Sequence, residues 1–247
     1  MQYAQVLGFI PLQGSAIDPR MNAPRKSPLR ALVFDMDGTL TDSDPIHRLA
    51  FEKALAPYGQ SMPEEEYRNT ISGRTNAEIG RVLFPDASEA QHLEFAREKE
   101  QLFRDLAQML LPLSGLIELL DQARDQGLLL AMVTNAPREN AEHMLEALGL
   151  EQRFSPVVLG AESPRPKPDP LPYRIALERL GIDANEAVAF EDSVPGVRSA
   201  TGAGLFTFGV MTTQPASVLT EAGAREVIQD YEDPVLLEYL RIALSGL

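Results

Sequence analysis

The chain has 247 residues, with 22 Lys+Arg against 36 Asp+Glu, a formal charge of −14, no Cys, no Trp and three His. So acidic a chain lacks the basic footprint that nucleic acid or an anionic membrane requires. No stretch approaches the roughly 20 apolar residues of a membrane helix, and the lack of Cys removes disulfides, thiolate catalysis and Cys-ligated metal clusters.

His47, His92 and His143 are too scattered for an all-His site. A metal would therefore sit among oxygen ligands, which suits Mg2+. The length allows one large α/β domain, or a core with a smaller inserted domain.

In chain order, residues 1–27 read as a loosely ordered N-terminal extension, because Gln13-Gly14-Ser15 and the Pro/Arg/Asn-rich run 18–28 bury little. No positive charge precedes the short apolar patch 6–12, which argues against a secretory leader and for a cytoplasmic protein. Ala31-Leu32-Val33-Phe34, ended by Asp35-Met36-Asp37-Gly38, reads as a buried parallel strand entering a tight loop. Residues 45–109 carry almost no strand signal. Apolar spacing predicts helices over 45–58, 63–69, 76–83 and 88–111, the last opened by Ser88 with Gln91 three residues on.

Alternation follows. Helices are expected over 114–126, 137–148, 169–180, 195–203, 215–222 and 234–244. Strands are expected over 128–133, 156–159, 187–190, 205–210 and 227–228. Gly127, Gly149 and Gly181 stop three of the helices. Such alternation implies βαβ units and a parallel sheet.

Four polar groups recur where apolar strands end, and parallel sheets bind ligands beyond those ends. The first is Asp35-Met36-Asp37-Gly38-Thr39. Two neighbouring carboxylates need a cation or a shared proton. Asp35 is a candidate nucleophile that can form an acyl phosphate, and Asp37 a candidate acid and base. An ordinary strand-to-loop turn uses the same residue types. The second is Thr134-Asn135, a neutral phosphate cradle or a pair of helix caps. The third is Lys167, set between Pro166 and Pro168, able to neutralise Asp35 and phosphoryl oxygens. The fourth is Glu191-Asp192-Ser193, with Asp192 a direct ligand of a hard cation and Glu191 a direct or water-mediated one, or a helix cap. Together these supply what phosphoryl transfer needs.

With Asp35-Met36-Asp37-Gly38-Thr39-Leu40, Thr134, Lys167 and Glu191-Asp192 in this order, residues 30–247 resemble the haloacid dehalogenase-like superfamily. The branch they resemble most holds phosphatases and β-phosphoglucomutase-like proteins with a helical cap after the first motif. The resemblance implies an α/β fold, a Rossmann-like parallel sheet core (28–43 and 111–247) carrying an inserted all-helical cap (44–110). It implies Asp35 as nucleophile and Asp37 as acid/base. It also implies Mg2+ on the Asp35 carboxylate, the Asp37 carbonyl and Asp192, with Thr134 and Lys167 on the phosphoryl group.

Dehalogenases of the superfamily lack the second Asp, and so do the members that use a cap lysine for a Schiff base. Asp37 therefore argues against both readings, although Lys53 and Lys99 lie in the cap. Within the cap, His47 is a packing residue beside an apolar face or a substrate-binding residue. Arg74 grips a substrate anion or is solvated, and Asn76 binds a sugar hydroxyl or caps a helix. Arg138 is a further candidate cation near the phosphate. The function expected is Mg2+-dependent hydrolysis of a small phosphorylated metabolite, a sugar phosphate, by a monomer or homodimer. A phosphohexose mutase and a non-catalytic sugar-phosphate-binding module are the alternatives.

Overall fold

A computed structural model describes residues 28–71, 74 and 76–245; the extension expected over 1–27 lies outside them. Six strands form one parallel sheet in the order β3-β2-β1-β4-β5-β6. They are β1 (Ala31–Phe34), β2 (Leu129–Thr134), β3 (Val157–Leu159), β4 (Ala187–Glu191), β5 (Phe206–Val210) and β6 (Glu226–Ile228). The helices are α1 (Asp44–Leu55), α2 (Glu64–Thr70), α3 (Asn76–Leu83), α4 (Glu89–Leu106), α5 (Leu116–Asp125), α6 (Arg138–Leu148), α7 (Leu171–Leu180), α8 (Val194–Gly202), α9 (Ala216–Ala222) and α10 (Pro234–Leu244).

Strand residues alternate between faces, and here the two faces differ in bulk. Leu32, Phe34, Met132, Phe190 and Phe208 pack with α5, α6 and α10. Ala31, Val33, Ala131 and Ala189 pack with Tyr173 and Leu177 of α7 and Ala200 of α8. Small strand residues on that second face let α7 and α8 lie close to the sheet. Phe34 and Phe190 stack at 4.8 Å, and Phe190 and Phe208 at 5.5 Å, across neighbouring strands.

Between β1 and α5 the chain builds a helical cap with its own core of Phe51, Leu55, Met62, Tyr67, Ile79 and Phe95. Ser88 caps α4 in a reciprocal box with Gln91, as its spacing predicts. The expected elements are present with shifted ends. The helix expected to reach 111 stops at Leu106 and gives way to a 3-10 turn, Ala107–Met109. The helix expected from 169 starts at Leu171, because the Asp169 carboxylate accepts from the Leu171 N–H at 2.9 Å. No helix among the described residues is long and apolar enough to cross a membrane.

Two features position the site. Strand order reverses between β1 and β4, so a crevice opens beyond their carboxyl ends. Register then fixes what lines it. Phe34 pairs with Met132 on one side and with Phe190 on the other, so the next residues, Asp35, Val133 and Glu191, emerge side by side.

Candidate active site

Lys167 closes this row. Its ammonium lies 2.6 Å from Asp35 Oδ1, 2.5 Å from Glu191 Oε1 and 2.7 Å from the Val133 carbonyl, all buried. Three donors meet three acceptors, the full capacity of an ammonium. The Tyr173 hydroxyl donates to the same Glu191 Oε1 at 2.6 Å.

The loop after β1 curls back, with the Gly38 N–H donating to the Thr41 carbonyl. Gly38 sits at φ +70°, and a Cβ there would lie 2.1 Å from Asp192 Oδ2. Only glycine permits both the turn and the approach of Asp192. Carboxylate oxygens of Asp35, Glu191 and Asp192 lie within 4.8 Å of one another. An all-oxygen, buried and mutually repelling set of this kind fits a hard divalent cation. Glu191 Oε1 accepts from both Lys167 and Tyr173, whereas, among the described residues, Asp35 Oδ1 accepts from Lys167 alone and Asp192 Oδ2 from the Thr213 hydroxyl.

The protonation equilibria report the same crowding. Burial, reinforced by Glu191 and Asp37 against the opposing Lys167, pushes the Asp35 carboxyl up to about 7. Asp192 is raised by burial and then by the Asp35 and Glu191 charges. Lys167 is raised because the attraction of both carboxylates outweighs a burial effect that alone would lower it. Asp37 goes the other way. Burial would raise it, but hydrogen bonds from His47 and Ser43, with the positive charge of Lys99, hold it below the usual carboxylate range.

Those partners come largely from the cap. The Ser43 hydroxyl donates to Asp37 Oδ1 at 2.6 Å, and His47 Nε2 lies 3.5 Å from the same oxygen. The His47 ring stacks on Phe103 at 3.9 Å, and its Nδ1 faces the Lys99 ammonium at 3.4 Å. An ammonium only donates. Nδ1 is then the acceptor, and the proton sits on Nε2, pointing at Asp37. Lys99 is buried, rests 4.7 Å over the Phe51 ring and pairs with Glu100 at 2.7 Å.

A cavity of about 460 Å3 lies between cap and core. Asp35, Asp37, His47, Arg74, Asn76, Thr134, Asn135, Lys167 and Asp192 all line it, so the structure brings nearly every expected site residue together. Glu191 sits just behind them.

Several roles read differently from the expectation. Asn135 uses its amide on the main chain of Lys167, donating to the carbonyl and accepting from the N–H, both at 3.2 Å; it positions the lysine. Thr134 Oγ1 accepts from the Ala136 N–H at 3.0 Å, which leaves its own O–H available. Asn76 opens α3 and donates to Glu100 Oε1 at 2.9 Å. Arg138 is not a cation of the cavity, because it is drawn to Glu142 and Glu162 on the surface.

Sequence reasoning missed Ser43, Glu100, Asn140, Tyr173 and Thr213, and saw Lys99 only as a Schiff-base residue. One signal was present for Lys99. It falls on the buried stripe His92, Phe95, Lys99, Phe103 of α4, where a lysine has to have a partner.

The pattern described as haloacid dehalogenase-like hydrolase matches residues 32–210. A phosphorylated carbohydrates phosphatase of Thermotoga maritima is 31% identical over 208 residues, 83% of this chain and 96% of the relative. An N-acetylmuramic acid 6-phosphate phosphatase of Pseudomonas aeruginosa is 32% identical over 187 residues, covering 74% and 81%. Among solved structures, CbbY from Rhodobacter sphaeroides in complex with phosphate superposes with a TM-score of 0.73 at 27% identity, covering 82% of this chain and 95% of that one.

Proposed function

Because the chain belongs to the haloacid dehalogenase-like hydrolases, as a phosphatase of that family, we propose that it hydrolyses a small sugar phosphate with Mg2+, through a phosphorylated Asp35. The observation that carries this reading is the convergence of Asp35, Lys167 and Asp192 at the sheet crevice with Asp37 reached from the cap side.

In this reading an Asp35 oxygen attacks phosphorus in line and the ester P–O bond breaks. The leaving oxygen takes a proton from Asp37. A water then gives a proton back to Asp37 and attacks the phosphorus of the aspartyl phosphate, releasing inorganic phosphate and free Asp35. Asp37 starts in its anionic form; a phosphate dianion brought beside it adds negative charge and drives it toward the protonated acid. The Thr134 hydroxyl donates to the transferring oxygens, and Lys167, held beside Asp35, offsets their charge. Asp35, Asp192 and the Asp37 carbonyl, with Glu191 directly or through water, would hold Mg2+, whose positive charge would offset the negative charge of the phosphoryl group.

In this reading Arg74, exposed and lining the cavity, binds the far end of the substrate. A cap over so small a cavity selects metabolites over phosphoproteins. The relatives named for carbohydrate and sugar-acid phosphates support the same class.

The test is phosphate release from hexose 1- and 6-phosphates, N-acetylated amino-sugar phosphates, phosphoglycolate and mononucleotides, with Mg2+ or EDTA, for wild type and Asp35→Asn. Mg2+-dependent release from a sugar phosphate, absent in Asp35→Asn, is expected. Release that survives Asp35→Asn, or that occurs equally in EDTA, overturns the mechanism. Turnover confined to non-sugar esters overturns the substrate class.

A further inference from the structure

Asn140 belongs to the core, on α6, yet its side chain is only 3% exposed and bonds to the cap. Its Nδ2 donates to Glu100 Oε2 at 2.6 Å, and its Oδ1 accepts from Arg104 Nη1 at 3.0 Å. Both partners lie on α4. The amide therefore spends its donor and acceptor ends on one cap helix.

Glu100 is fully engaged as well. Its Oε1 accepts from Lys99 at 2.7 Å and from Asn76 at 2.9 Å. From Lys99 the contacts run to His47 and from His47 to Asp37. A chain of polar contacts thus leaves the core at Asn140, crosses the cap and re-enters the core at Asp37. Buried networks of this kind act as a unit, since breaking one member leaves its neighbours unpaired in a low-dielectric setting.

We propose that Asn140 and Glu100 are positioning residues. They clasp the closed cap to the core and, through Lys99 and His47, hold Asp37 oriented to protonate the leaving oxygen of the substrate. The proposal rests on the role of Asp37 given above. Neither residue touches the reacting phosphoryl group. Their contribution is registration of the cap, which reaches the chemistry only through the proton.

This separates two kinds of ester. An alkyl leaving group such as a sugar hydroxyl needs a proton as the P–O bond breaks, whereas p-nitrophenolate leaves without one. The parameter kcat/KM covers the steps through phosphoryl transfer to Asp35, so it isolates the protonation. In Asn140→Ala, kcat/KM for a hexose 6-phosphate should fall about tenfold or more, the low end of a general-acid effect. For p-nitrophenyl phosphate it should fall at least several times less.

Glu100→Gln keeps the shape and removes the charge that pins Lys99, and it should show the same split. The double variant should be no worse than the weaker single one, because the residues act in series. Equal loss on both esters in the two variants would mean general damage to the site, and unchanged values on both would mean a surface contact; either result overturns the proposal. Failure of the underlying reading looks different, because Asp37→Asn would then spare sugar-phosphate turnover in the wild-type background.

Discussion

The catalytic crevice should weaken the metal-free protein, and Asp35→Asn should therefore stabilise it while ending turnover. Burial, reinforced by Glu191 and Asp37 and opposed by Lys167, lifts the Asp35 carboxyl from 3.8 to about 7 in the folded state. Well below the unfolded value of 3.8 the group is protonated in both states and has no effect. As pH rises past the unfolded value, the unfolded chain ionises first and folding loses free energy, until the folded group also ionises near pH 7. At about 1.4 kcal/mol per unit of difference, the loss comes to about 4 kcal/mol by pH 8. Asparagine resembles the neutral carboxyl and escapes it. A chain of this size shifts its Tm by some 2–4 °C per kcal/mol, so the variant should melt about 8–16 °C higher in EDTA at pH 8. At pH 5 the advantage should shrink to less than half. Adding Mg2+ at pH 8 should narrow it too, since the wild type keeps the carboxylate that binds the ion and gains more from it. Thermal unfolding followed by circular dichroism measures all three. An Asp35→Asn variant that melts below wild type in EDTA at pH 8, or whose advantage does not depend on pH, refutes the argument.

The partner of this cluster should behave in the opposite sense. Lys167→Met leaves buried carboxylates without their cation and should cost about 3–5 kcal/mol in urea unfolding, with kcat falling 100-fold or more. Gly196→Ala places a Cβ 1.7 Å from Glu191 Oε2. It should lower kcat at least about tenfold through displaced Glu191 and Lys167, although alanine is the better helix former by about 1 kcal/mol; an unchanged kcat would show that Glu191 does not hold the lysine.

The elements were legible because their signals are local. An apolar run ended by Asp-x-Asp-Gly, a Ser88–Gln91 box and glycines after helices each act within one turn of chain. The core half of the site was legible for a related reason: register carries the residue after each apolar run to the same edge, so strand ends could be read without knowing their neighbours. The cap half depends on pairs that no period connects. His47 meets Lys99 across 52 residues, and Asn140 meets Glu100 across 40. Arg138 shows the converse. A cation three residues past Asn135 seemed near the phosphate, but the start of α6 turns it outward to Glu142 and Glu162.

The charge of the cavity explains why a metal and a phosphate would be bound together. Among the described lining residues, Asp35, Asp37, Asp44, Glu100 and Asp192 face Arg74, Lys99 and Lys167. Two of the three cations are already committed, Lys167 to Asp35 and Glu191, and Lys99 to Glu100. A phosphate dianion entering this space without further positive charge meets a net negative wall inside a chain of charge −14. A divalent cation held by Asp35 and Asp192 would reverse the local potential and offset the burial and repulsion that raise both carboxyls. Each ligand then improves the site for the other, and linkage makes the gain reciprocal. The same carboxylates that burden the metal-free fold would thus favour a phosphate that arrives with a metal ion.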